Sequence, residues 1–115
     1  MSLDVSLQIR KSDDPDDHFR EEVYEANITH NLNRMAAVAD IYDVLWRPDE
    51  NGILKAKQLI EPLERGLNKL LQNPEYFKTF DSPNGWGKYE NFVPFVENYL
   101  LACKEFPEAE VVVWR

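Results

Sequence analysis

The sequence predicts an α+β fold in which a small antiparallel sheet of about three strands is packed by three main helices. Two periodicities carry this prediction. Apolar residues alternate with polar ones over the first ten residues, which is typical of a half-buried strand. Further along, apolar residues recur every three or four positions, which is typical of amphipathic helices. The elements follow the order ββαααβ without a long linker, so residues 1–115 are expected to form a single α+β domain.

The strands are predicted near the two ends of the chain. The first is marked by four alternating apolar residues, Leu3, Val5, Leu7 and Ile9. An acidic polar loop over residues 11–17 separates it from a second strand over 22–28, where Val23 and Tyr24 favour extended backbone. The last strand covers residues 109–115 and is expected to pair antiparallel with an N-terminal strand. Its three consecutive valines predict burial on much of both faces.

Three helical segments lie between these strands. The first is a helix of about four turns that starts from Thr29 as N-cap and ends before Pro48. The second spans residues 55–72, and Pro74 then begins a short additional helix. The third carries an uninterrupted apolar stripe over residues 89–106 and is the clearest helix in the chain.

Composition excludes several classes of function. The chain has 13 lysines and arginines against 21 aspartates and glutamates, and the net charge of −8 argues against a long nucleic acid as partner. One cysteine, Cys103, and two histidines, His18 and His30, make a disulfide framework or a zinc site unexpected, and no cofactor is expected. Cys103 lies on the apolar stripe and is predicted to be an inert core thiol. No leader and no long apolar run is seen, so a cytoplasmic protein without membrane contact is expected.

The densest polar cluster lies where the second strand meets the first helix. Asn27, Thr29, His30 and Asn31 add donors and acceptors to the free amides of a helix start, which suits a phosphate or carboxylate. His30 would also titrate near neutrality. The alternative is structural: Thr29 only caps the helix, Asn27 satisfies a turn and His30 is solvated.

A second candidate site is the segment of residues 81–90, which begins with a loop over 81–87. Gly85 and Gly87 flank Trp86, and this arrangement permits unusual backbone angles beside a flat surface that can stack a base or sugar. In the alternative interpretation, Trp86 fills the core. Trp46 and Arg47, at the predicted end of the first helix, offer another stacking face and a cation, although Arg47 can simply cap that helix.

Three short motifs resemble those of short uncharacterised proteins encoded by tailed bacteriophages and prophages. They are Asn-Ile-Thr-His-Asn-Leu over 27–32, Leu-Trp-Arg-Pro over 45–48 and Asn-Gly-Trp-Gly-x-Tyr over 84–89. The resemblance implies a phage accessory protein that acts in the host cytoplasm. Such small proteins often counter host defence by sequestering a nucleotide signal or by blocking a defence protein. In the first case Arg47 and the helix amides would meet phosphates, while Trp46, Trp86 or Tyr89 would stack a base.

Three hypotheses for function therefore stand at this point. The leading one is a non-enzymatic binder of a small anionic, nucleotide-derived ligand, in a pocket that a second copy of the chain can complete. The second is an inhibitor that binds a basic groove of a host defence protein through the acidic residues 13–25. The third is a small hydrolase with His30 as base, but no nucleophile or orienting carboxylate accompanies His30 at a recognisable spacing.

Overall fold

The sheet is antiparallel throughout, in a computed structural model that describes residues 2–10 and 20–115. It consists of β1 (Ser2–Arg10), β2 (Arg20–Thr29) and β3 (Glu110–Trp114). The strand order is β2-β1-β3, with Leu3 opposite Ile28 and Val5 opposite Val113. Leu3, Val5 and Leu7 are buried, as their alternation predicts. The α+β prediction and the antiparallel pairing of the last strand are confirmed. The acidic loop predicted over 11–17, together with His18, lies outside the described residues.

The regular part of the β1–β2 pair determines which side chains of β2 face the helices. Leu3, Val5 and Leu7 pair with Ile28, Ala26 and Tyr24, so Tyr24 shares the face of Leu7, because residues opposite each other in a sheet point to the same side. The next residue, Gln8, pairs with Glu22, so Val23 is the extra residue of a bulge that shifts the register beyond Tyr24. The Tyr24 ring stacks on Tyr99, with centroids 5.8 Å apart.

The prediction that β3 is buried on much of both faces is wrong. Val111, Val112 and Val113 are each only partly buried, Val111 and Val113 pack against the core, and Trp114 is 54% exposed. The physical reason is that the helices cover one face of the sheet, so the alternate residues of β3 face outward from the other side.

The predicted first helix is not continuous. A 3-10 turn (His30–Leu32) leads into α1 (Asn33–Val38), and α2 (Tyr42–Trp46) follows after a break. At the break Asp40 has a left-handed φ of 64°. Ile41 then packs directly on Gly66 of the next long helix, and this contact accounts for the interruption of an otherwise helical pattern.

The remaining helices agree with the prediction. They are α3 (Lys57–Gln72), α4 (Pro74–Lys78) and α5 (Tyr89–Glu105). The two long helices pack on each other and bury one stripe each, including Leu63 and Leu70 of α3 and Val96 and Cys103 of α5. Within the described ranges, no helix combines the length and the apolar character needed to cross a membrane.

Candidate functional site

An open cleft of about 920 Å³ lies between the end of β2 and the start of α5. Its lining comes from five parts of the fold: the start of β1, the helix-facing end of β2, the 3-10 turn, the loop before α5 and one face of α5. Residues that line it include Asn27, Thr29, His30, Asn31, Gly85, Trp86, Gly87, Asn91, Phe95 and Asn98, with Ser2 and Tyr24. The two segments singled out from the sequence, 27–31 and 85–87, are therefore brought together.

Thr29 caps the turn that follows β2. It has extended backbone angles, and its Oγ1 accepts a hydrogen bond from the Asn31 amide at 3.3 Å. The capping role anticipated for Thr29 is confirmed. Because this amide already donates to Thr29, it is not free to donate to a phosphate or carboxylate. The anion-binding site inferred from the sequence therefore has one donor fewer.

The loop that carries Trp86 is held against this junction. Asn31 Nδ2 donates to the Trp86 carbonyl at 2.9 Å, and the Trp86 amide donates to Asn84 Oδ1 at 2.9 Å. Gly87, at φ 105°, comes so close that a Cβ there would lie 2.9 Å from Asn31 Cβ. The Trp86 ring is 70% exposed at the rim of the cleft. The alternative in which Trp86 fills the core is wrong.

The α5 wall of the cleft alternates polar and aromatic side chains. Asn91, Phe95 and Asn98 are separated by four and three residues, so they lie on one face of the helix. The Phe95 ring centroid is 6.0 Å from that of Tyr99, which also stacks on Tyr24. Two rings that line the cleft are therefore supported by one fully buried ring behind them.

His30 lines the cleft but lacks the partners of a general base. Its ring lies edge-on to Trp46, with centroids 6.2 Å apart. Its Nε2 is buried and finds no hydrogen-bond partner in the part of the chain that the structure describes. The contacts of His30 are thus those of a packed aromatic ring rather than of an oriented acid–base group.

Trp46 and Arg47 do not line the cleft. Trp46 is buried and stacks on Tyr42 at 5.4 Å. Arg47 donates to Tyr42 Oη at 3.4 Å and to Glu50 at 2.6 Å, and these bonds raise the pKa of its guanidinium. Trp46 packs against the His30 ring, whereas Arg47 forms hydrogen bonds within the turn that follows α2.

Tyr89 also lies outside the cleft lining. Its hydroxyl donates to the Leu70 carbonyl at 2.8 Å, and its ring lies below Lys78. The N-terminus of α5 is thereby tied to the C-terminal turn of α3. Tyr89 helps to position the loop that precedes it, and this role could not be read from its place in the sequence motif.

The cleft is notable for its lack of fixed charge. Among the described residues, no lysine, arginine, aspartate or glutamate lines it. Asn27 Nδ2 donates to the Asp4 carboxylate at 2.6 Å on the open face of the sheet, so the Asn27 carboxamide is directed away from the cleft. The cleft offers aromatic rings and uncharged carboxamides and hydroxyls.

Lining residues that sequence reasoning missed include Ser2, Tyr24, Asn91, Phe95 and Asn98. A signal for three of them was present, because two asparagines flank a phenylalanine at helical spacing beside the apolar stripe. Tyr24 alternates with Ala26 and Ile28 on the helix-facing side of β2, but its place in the cleft depends on packing against α5, which the strand pattern does not encode.

The open face of the sheet carries a second, smaller depression of about 580 Å³. It is lined by Asp4, Glu22, Glu25 and the exposed Trp114 among others. Across the described ranges, no group of three histidine, cysteine, aspartate or glutamate side chains is arranged to hold a metal ion.

The fold and the larger cleft define a small α+β domain with a ligand-sized, largely uncharged site. Comparison of the chain with family models, with curated proteins and with solved structures gave no match.

Proposed function

We propose that this chain is a phage accessory protein that binds and sequesters a small nucleotide-derived ligand in the cleft. The observation that carries the proposal is the meeting of residues 27–31 with the Trp86 loop, tied by the Asn31–Trp86 hydrogen bond. The volume of about 920 Å³ lies within the roughly 300–1,000 Å³ of small-molecule sites. An exposed tryptophan ring beside several carboxamides suits a base better than an aliphatic ligand.

In this proposal the ligand is held and not converted. His30 and Tyr24 are the titratable side chains that line the cleft within the described residues, and both rings are held by aromatic contacts, His30 against Trp46 and Tyr24 against Tyr99. Ligand incubated with the protein and recovered by denaturation should therefore be chemically unchanged. Appearance of a hydrolysed product at a rate that depends on protein concentration would favour the hydrolase with His30 instead.

A thermal-shift screen with cyclic dinucleotides and ADP-ribose derivatives tests the binding itself. A ligand that binds only the native state raises the unfolding temperature, and the stabilisation grows with the logarithm of one plus the ratio of ligand concentration to Kd. We expect stabilisation by at least one compound, and loss of that stabilisation in Trp86→Ala. Trp114→Ala is the matched control, because Trp114 is an exposed tryptophan outside the cleft. If no nucleotide stabilises the protein, the proposal is wrong.

A second candidate function, inhibition of a host defence protein, is favoured by one observation. Asp4, Glu22 and Glu25 line one depression with Trp114 on the open sheet face, which would suit a basic surface on the partner. In this case Glu25→Lys and Trp114→Ala should each weaken capture of a purified defence protein, and added salt should weaken capture further. Weakening by Trp86→Ala alone would assign the effect to the cleft and contradict this candidate.

A further inference from the structure

We infer, resting on the function proposed above, that the cleft recognises the uncharged nucleoside portion of its ligand, a planar nucleobase with its sugar. Phosphate groups then contribute little to affinity and extend out of the cleft. This changes the class of ligand from an anion held by charge to a heterocycle held by stacking and hydrogen bonds.

The first argument is electrostatic. A site that binds through phosphate usually places lysine, arginine or free helix amides around it. Here the lining of the cleft within the described residues carries no such cation. The Asn31 amide is taken by Thr29, and Arg47 is bonded to Tyr42 and Glu50. Phosphate inside the cleft would lose its hydration without gaining a compensating charge.

The second argument is the aromatic surface. Trp86 presents a largely exposed ring on a loop that is fixed by three hydrogen bonds: Asn31 to its carbonyl, its amide to Asn84, and the Ser82 amide to the Gly87 carbonyl. These bonds hold the backbone of the loop, so only the two side-chain torsions of Trp86 are ordered when a base stacks on its ring, which keeps the loss of conformational entropy small. Because every base has a flat face, this contact supplies affinity without choosing the base.

The third argument is the set of carboxamides. Asn91 and Asn98 are exposed on the α5 wall, seven residues and therefore about 10 Å apart along the helix. Asn31 Nδ2 donates to the Trp86 carbonyl, and the Oδ1 of the same side chain can accept a hydrogen bond from the ligand. A carboxamide places a donor beside an acceptor, as the edge of a base does, so pairs of hydrogen bonds form between them.

The experiment measures Kd by calorimetry for four nucleosides, their 5′-monophosphates and ribose 5-phosphate, at about 50 and about 500 mM NaCl. We expect one or more nucleosides to bind, and the matching monophosphate to bind within about threefold of it, with a change of less than about threefold between the two salt concentrations. Ribose 5-phosphate, which has phosphate and sugar but no base, should not bind.

Two variants with matched controls test whether the nucleoside binds in the cleft. Trp86→Ala should weaken nucleoside binding by roughly tenfold or more, the usual scale of one lost stacking contact, whereas Trp114→Ala should not. Asn98→Leu keeps the size of the side chain and removes its hydrogen bonds, so affinity should fall. Asn68→Leu, at an exposed position of α3 outside the cleft, is its control.

The outcomes separate the two claims. If monophosphates bind more than about tenfold tighter than nucleosides, lose affinity steeply with salt and still depend on Trp86, the inference of nucleoside recognition is wrong while the proposed function stands. If no nucleoside or nucleotide binds, including cyclic dinucleotides and ADP-ribose, both are wrong.

Discussion

Asn31 and Gly87 are the residues that seat the Trp86 loop on the end of β2. Asn31 donates a hydrogen bond to the Trp86 carbonyl. Gly87 has no side chain, and a Cβ at this position would lie 2.9 Å from Asn31 and 3.2 Å from Thr29. The sequence predicted unusual backbone angles at the two glycines, and both have positive φ. It could not predict which of them makes the close contact, because that depends on a segment more than fifty residues away.

Gly87→Ala should destabilise the protein more than Gly85→Ala. Both residues have positive φ, 105° and 81°, so each substitution incurs a backbone penalty of roughly 1 kcal/mol. Gly85 has open space around its Cβ position, whereas Gly87 adds a steric conflict worth about a further 1–3 kcal/mol. Urea denaturation of the two variants measures the difference. Equal losses of stability in the two variants would show that Gly87 does not pack closely against Asn31 and Thr29.

Two tyrosines of α5 should respond in opposite directions to loss of the hydroxyl. Tyr99 is fully buried and its Oη has no hydrogen-bond partner among residues 2–10 and 20–115, so Tyr99→Phe is expected to be neutral or to stabilise by up to about 1 kcal/mol. Tyr89→Phe removes the bond to the Leu70 carbonyl and should cost about 1 kcal/mol. Denaturant midpoints of both variants provide the test. A clear destabilisation by Tyr99→Phe would reveal a partner for its hydroxyl.

At the scale of elements, α3 and α5 could be predicted and the first helix could not be predicted in full. The apolar stripes of α3 and α5 face each other, so local periodicity and tertiary packing agree. The segment from Thr29 to Pro48 has the same periodicity, yet it breaks at Asp40. The break depends on contact between Ile41 and Gly66, which no local pattern encodes.

Gly66→Ala tests this contact. Alanine is favoured over glycine by about 1 kcal/mol in a helix interior, so propensity alone predicts stabilisation. A Cβ at Gly66 would lie 2.3 Å from Ile41 Cγ2, and we therefore expect destabilisation of about 1–3 kcal/mol. In the double variant with Ile41→Ala, the loss should be smaller than the sum of the two single losses. Additive losses would contradict the close approach of the two segments.

At the scale of the whole molecule, carboxylates that the structure describes in the acidic segment lie apart from the candidate binding site. Residues 13–25 hold seven carboxylates and one arginine, and of these Glu22 and Glu25 line the depression on the open sheet face. In the described part of the chain no carboxylate, lysine or arginine lines the cleft, so the net charge of −8 does not oppose entry of a neutral ligand. Composition predicted this overall charge, but its placement needed the fold.

Stability of the whole molecule should fall at alkaline pH. Burial raises the pKa of Cys103 to about 12, and burial followed by the nearby thiol raises the pKa of Tyr99 and Tyr24. Because the unfolded thiol has a pKa of about 8.5, the unfolded state releases protons first, so stability is kept below that pH and lost as the pH rises toward about 12. Unfolding free energies between about pH 8 and about pH 11 provide the measurement.

Cys103→Ala identifies the thiol's share of this loss. The variant should begin to lose stability only as the tyrosines of the unfolded chain titrate, near pH 10. If the wild-type chain keeps constant stability to about pH 11, or if both chains show the same pH dependence, these groups do not control the alkaline limit.

The most direct test of the cleft as the ligand site is an amide NMR titration of the full chain with four nucleoside 5′-monophosphates. Perturbations from a bound monophosphate are expected at residues 27–31, 85–87 and 91–98, which line or border the cleft. Amides of Asp4, Glu22 and Trp114 on the open sheet face should not shift. Perturbations confined to that open face, or no perturbation by any of the four compounds, would contradict the assignment of the cleft as a nucleotide site.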